Sequence, residues 1–187
     1  MQANPPSSAL PSSSLSYEDA AFCRDLARFL LSRPASCQER EEVCKSLGRS
    51  PDGMAAVGAR CRGRVAAVVV SPQVRGHPFP TVFYLVDKDL SRRASQLESA
   101  GAMRGWNLRL ERDPELRKGY LRAHLMYLRF RGEVGEILNA PPCPSKASAG
   151  GMPERVKCLH ALLAQSLVMG PGINPIGDEI AKEVGAW

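Results

Sequence analysis

The chain has 187 residues, 44% of them hydrophobic and 24% charged, and a formal net charge of +6. That length and balance suit one globular domain with a sizeable core, and they exclude a fibrous or wholly disordered chain. No apolar run reaches the roughly 18 residues that a membrane-spanning helix needs, so no membrane partner is expected.

Residues 1–16 hold six serines, three prolines and no charged side chain, which predicts a disordered Ser/Pro-rich tail. Organelle-targeting peptides share that Ser-rich, acid-poor composition, but they are also rich in arginine, and the first arginine here is Arg24. Ser16 with Asp19 resembles a capping box, and Phe22, Leu26, Phe29 and Leu30 then share one helical face. A helical extension over about 17–36 is therefore expected, stopped at Pro34. Residues 37–187 are expected to form a single globular domain, opening on a short helix at about 39–47 that ends at Gly48.

Residues 64–71 and 81–86 read as two strands that pair antiparallel across a Pro- and Gly-containing loop. A helix over about 89–101 follows. Asp113-Pro114-Glu115 supplies a cap, a proline at the first helical position and an acid in the first turn. The helix it opens runs to about Arg131. Leu116, Tyr120, Ala123, Tyr127 and Phe130 make one apolar stripe along it, and Leu121, Leu125 and Leu128 another, so it is expected to lie between other elements, with His124 between the stripes. Residues 139–153 read as a loop. Pro153 is expected to open a helix to Met169, broken by Gly170-Pro171-Gly172 before a last short helix over about 176–184. The fold class implied is α+β, a β-hairpin packed on several helices.

The positive charge is local. Residues 88–131 carry 11 basic and five acidic side chains, so this block accounts for the entire excess. It offers a face for nucleic acid or an acidic protein, although arginines spread around a helix also serve as ordinary solvated surface. The six cysteines show no CxxC spacing and no signal peptide precedes them. A cytoplasmic or other reducing compartment fits that usage better than a disulfide framework.

The segment 148–179 carries the most chemistry. Gly150 and Gly151 precede a predicted helix N-terminus, where free N–H groups and partial positive charge suit an anion such as phosphate or carboxylate. Arg155 and Lys157 fall in the first turn of that helix, a position that disfavours cations unless an anionic ligand or acidic neighbour is present. Asn174 and Asp178, in the turn that opens the last helix, are further ligand-binding candidates. Cys158, His160 and His124 are the residues able to supply nucleophilic or acid–base chemistry. Two residues apart within a helix, Cys158 and His160 would point about 200° away from each other, which argues against their sharing one metal ion there.

The runs Ser-Ala-Gly-Gly-Met-Pro-Glu-Arg-Val-Lys-Cys-Leu-His (148–160) and Gly-Ile-Asn-Pro-Ile-Gly-Asp-Glu (172–179) resemble the signature of the domain-of-unknown-function family numbered 501. Arg60-Cys61, Pro78-Phe79-Pro80-Thr81, Leu97-Glu98-Ser99-Ala100-Gly101 and Asp113-Pro114-Glu115-Leu116 agree with it, and the resemblance spans about residues 40–187. It implies no particular activity. It does imply a Cys/His metal or redox site, with Cys61, Asp87, Cys158 and His160 as the matching positions and zinc or another metal as the cofactor. This chain departs from the pattern in having Cys61-Arg62-Gly63 for a Cys-x-Cys-Gly, Asp87 for a Cys or His, and Gln165 for a second histidine. The readings that follow are a binding or catalytic domain for a small anion, a metal-binding structural or redox domain, and a basic adaptor, and the composition of the 148–160 segment favours the first.

Overall fold

A computed structural model describes residues 15–187; the tail expected over 1–16 lies almost entirely outside them. Helix α1 (Tyr17–Leu31) begins at Ser16, whose hydroxyl accepts from the Asp19 N–H, and α2 (Cys37–Leu47) begins with a full capping box between Ser36 and Glu39. Strands β1 (Met54–Cys61) and β2 (Arg64–Val70) form a hairpin. Its two turn residues, Arg62 and Gly63, both have positive φ, as a type I′ turn requires. The loop after β2 carries a two-residue ladder, β3 (Gln73–Val74) with β4 (His77–Pro78). Strand β5 (Phe83–Leu85) then pairs antiparallel with β2, giving the sheet order β1-β2-β5. Four helices complete the chain up to α6: α3 (Lys88–Ser99), α4 (Ala102–Arg112), α5 (Pro114–Ile137) and α6 (Leu159–Met169). The last, α7, is Pro175–Glu183.

The α+β class and the pairing of β2 with β5 match the sequence reading. β2 is buried on both sides, which is why it reads as an unbroken apolar run. Ala67 and Val69 join the main core, while Val65, Val68 and Val70 join a second cluster with Val43 of α2 and Met54 of β1. Helix α6 is the centre of the molecule. It packs against the sheet, α3 and α7, and Leu159, Leu162, Leu163, Ala164 and Val168 are all buried.

Helix α5 has the central stripe expected of it: Leu116, Tyr120, Ala123, Tyr127 and Phe130 are buried. Phe83 of β5 packs edge-on against Tyr127, with ring centroids 5.2 Å apart, and 4.7 Å from Phe130. Helix α1 lies along α5 through Cys23, Ala27 and Leu30, not through the larger face the apolar spacing suggests. Phe22 and Phe29 stay largely exposed. Small residues let the two helices approach closely, and the Cys23 thiol reaches the Met126 carbonyl at 3.4 Å. Across the same seam, Asp19 accepts two hydrogen bonds from the Arg122 guanidinium, which holds its carboxyl below the usual range.

Among the described residues, no helix is long and apolar enough to cross a membrane. All six cysteines are free thiols.

Candidate functional site

The segment joining α5 to α6 has no helix until Leu159, six residues later than Pro153 suggests. Residues 149–157 instead close on themselves: the Met152 N–H donates to the Ala149 carbonyl, Arg155 N–H to Gly151 and Lys157 N–H to Gly150. The glycines are required by this folding back. A Cβ on Gly150 would lie 2.6 Å from Leu162 Cδ2, and one on Gly151 would lie 2.4 Å from the Arg155 carbonyl oxygen; both have positive φ. Their close approach is thus to their own chain.

Side chains from two helices fix the segment. Arg131 of α5, buried, donates to the Pro80 carbonyl at 3.2 Å, to Ala147 at 2.8 Å and to Ser145. His124 Nδ1 lies 2.9 Å from Ser148 Oγ. Asn107 of α4 clamps the Val156 backbone, accepting from its N–H at 2.8 Å and donating to its carbonyl at 3.1 Å. The Tyr120 hydroxyl donates to the Arg155 carbonyl at 3.2 Å.

Cys158 then takes the N-cap position of α6, with φ −149° and ψ 112°, but its side chain forms no capping hydrogen bond. The cap comes from a remote residue: Glu98 of α3 accepts from the Leu159 N–H at 2.7 Å. The same Glu98 Oε1 lies 3.3 Å from His160 Nδ1. Because Cys158 precedes the helix instead of sitting within it, the geometric objection to its meeting His160 disappears. Cys158, His160 and Glu98 present donor atoms that all lie within 4.8 Å of one another. His160 Nε2 faces the Ser91 carbonyl at 3.1 Å and Ser95 Oγ at 3.2 Å. A carbonyl can only accept, so Nε2 carries a hydrogen.

The electrostatics follow from this packing. The His160 imidazole beside Cys158 draws the thiol below its usual value, opposed by burial and the Glu98 charge. Reciprocally, His160 is pushed up to about 9, first by Cys158 and then by Glu98, against burial. His124 moves the other way. Burial and the Arg131 charge hold it below the ordinary histidine value, which favours its neutral form.

A cavity of about 610 Å³ opens over this cluster. Cys158, His160, Ala161, Ser148 and Gly150 wall one side, and Thr81, Phe83, Tyr84 and Leu85 wall another.

The other expected site residues stand elsewhere. Arg155 and Lys157 precede α6, are exposed, and do not line the cavity. Asn174 caps α7 by accepting from the Gly177 N–H and also donates to Gln165; Asp178 accepts from Ser166 Oγ and the Gly172 N–H. Both close the α6–α7 turn. Cys61 and Asp87 are not gathered with Cys158 and His160: the Cys61 thiol points to the Ala186 carbonyl, and Asp87 caps α3 and pairs with Arg64. Of the 11 basic residues of 88–131, Arg92, Arg93, Arg109, Arg117, Arg122, Arg129 and Arg131 have partners within the chain.

Sequence reasoning did not single out Glu98, Ser91 or Ser148 as site residues. One signal was present for Glu98: it lies in the last turn of α3, where the helix dipole disfavours an anion. His160 is its counterpart, a cation in the first turn of α6, and each relieves the other.

The architecture is thus that of a small α+β domain with a cysteine–histidine–glutamate cluster at the head of a buried helix. The chain belongs to the family described as "Protein of unknown function (DUF501)", whose model matches residues 57–182 and so includes β2, β5 and all three residues of the cluster. Comparison with curated proteins and with solved structures returns no match.

Proposed function

We propose that this domain binds a small organic anion in the cavity at the head of α6, with its carboxylate or phosphate group toward the helix N-terminus and His160. The observation that carries this reading is the coincidence of a roughly 610 Å³ cavity with the start of an 11-residue helix and a cationic imidazole in one wall. Hydroxyls of Thr81, Tyr84, Ser91 and Ser148 add hydrogen-bonding capacity, and Leu47, Phe83 and Leu85 suit an apolar body attached to the anionic group. Arg155 and Lys157, exposed on the adjoining turn, serve as outer attraction for an approaching anion and not as its seat. Cys158 and His160 stand where any chemistry on the ligand would be done, and His124, behind Ser148, is placed to orient that hydroxyl.

Titration of the labelled protein with inorganic phosphate and with acetate, followed by amide NMR shifts, tests the reading. Saturable shifts at Gly150, His160 and Ala161 are expected. Shifts confined to the exposed Arg155 and Lys157, or none that saturate, would overturn it.

A further inference from the structure

Glu98, Cys158 and His160 are arranged in more detail than a chance meeting of polar groups requires. Three different donor types converge, a carboxylate oxygen, a sulfur and a ring nitrogen, all mutually within 4.8 Å. A tetrahedral zinc ion with oxygen, nitrogen and sulfur ligands at about 2.0–2.3 Å spaces those donors roughly 3.3–3.7 Å apart. The Glu98 Oε1 to His160 Nδ1 distance is 3.3 Å. The remaining ring nitrogen, Nε2, is committed as a donor to the Ser91 carbonyl, the outer hydrogen bond that orients most metal-ligating histidines. That leaves Nδ1, the nitrogen facing Glu98, as the one that can give a lone pair once its proton leaves. The carboxylate is itself held by the Leu159 N–H.

We infer that Glu98, Cys158 and His160 form a three-ligand site for a divalent transition metal of the zinc class, with its fourth coordination position open to the cavity. A thiolate and an imidazole in the set select against magnesium and calcium, which take all-oxygen surroundings. Binding makes one bond each from Sγ, Nδ1 and a Glu98 oxygen to the metal. The proton on Nδ1, and that of the thiol where still present, leave to solvent, and nothing is oxidised or reduced.

This inference rests on the reading of the cavity as an anion site and deepens it. A divalent ion held by Glu98, Cys158 and His160 would place positive charge at the cavity wall that Cys158 and His160 line, and would offer the ligand's carboxylate or phosphate a coordination position.

The test uses the full chain, stripped with a chelator and titrated with zinc and, separately, with cobalt(II). About one equivalent of each should bind, and the cobalt form should show a thiolate-to-cobalt charge-transfer band with the intense visible absorption of tetrahedral geometry. Cys158→Ser, which leaves the Glu98 cap of α6 in place, should abolish the charge-transfer band. It should also weaken zinc binding by about 100-fold or more, at or beyond the upper end of what loss of an outer partner costs. Glu98→Gln should weaken zinc binding as well, and Cys61→Ser should change nothing. Substoichiometric binding, or a cobalt spectrum indifferent to Cys158→Ser, overturns the inference. Phosphate added to the cobalt form and to the stripped protein separates the two proposals. A cobalt spectrum that needs Cys158 but ignores phosphate leaves the metal site standing and removes the anion reading. Phosphate binding to a protein that takes up no metal does the reverse.

Discussion

Helices α5 and α6 begin in opposite ways. α5 is started by its own sequence: Asp113 accepts from the Glu115 and Leu116 N–H groups, and Pro114 follows at the first position. α6 has Cys158 where the cap should be, and the carboxylate that satisfies its first N–H comes from Glu98, 61 residues earlier. A local cap only terminates a helix. A borrowed cap leaves the N-cap side chain free for other work and ties the start of one helix to the end of another. The difference separates a helix that is purely scaffold from one whose head is exposed to a cavity.

The head of α6 depends most on Gly150, whose turn delivers the chain to Cys158. Gly150→Ala would force a Cβ to 2.6 Å from Leu162 Cδ2 at a positive φ. We expect a loss of about 2–4 kcal/mol in urea denaturation from strain and overpacking together. A loss under about 1 kcal/mol would mean that the turn is not held as described. Glu98→Ala comes next, at about 2 kcal/mol, because a hydrogen bond from a buried N–H to a charged acceptor is lost with no local substitute. Asp113→Ala should cost about 1 kcal/mol, the ordinary value for a local cap. If the two substitutions are equal within error, the borrowed cap has no special weight.

The smallest effect is expected at Asp19, which sits in the first turn of α1 yet spends its carboxylate on Arg122 of α5. Its folded pKa lies below the ordinary aspartate value of 3.8, so its contribution is present above that value and disappears as the pH falls through the folded one. Arg122 is partly exposed, so Asp19→Asn should cost about 1 kcal/mol or less at pH 7 and nothing in strong acid. A difference that persists unchanged at low pH would show that the pair is not its source.

Legibility followed the same division. Elements whose signals are local could be read directly, such as the start of α5, the pairing of β2 with β5, and α7 with its Asn174-Pro175 opening. β1 could not, because its sequence is rich in alanine and glycine, with low strand propensity and three irregularities in its register. Its small residues are there because α6 presses on it: a Cβ on Gly58 would lie 2.7 Å from Val168 Cγ2. α4 was hidden because it starts at Gly101 with no side-chain cap. For the site, Gly150, Cys158 and His160 were visible as candidates, but their meeting was not, since it depends on a helix start set by Glu98. Asp87 illustrates the converse. It was attractive as a ligand and is used as a cap for α3, with Arg64 alongside.

Arg131 carries a consequence for how this molecule can vary. Its guanidinium spends two nitrogens on the carbonyls of Pro80, Ser145 and Ala147, deep beneath the segment that ends in Ser148. A lysine there keeps the charge but loses the planar fork that reaches several acceptors at once. Arg131→Lys, conservative on paper, should therefore slacken one bank of the basin without altering any group that faces it, visible as faster amide exchange across 145–148. Drift at such a position would reshape what the domain accepts while every residue in contact with the guest stayed the same.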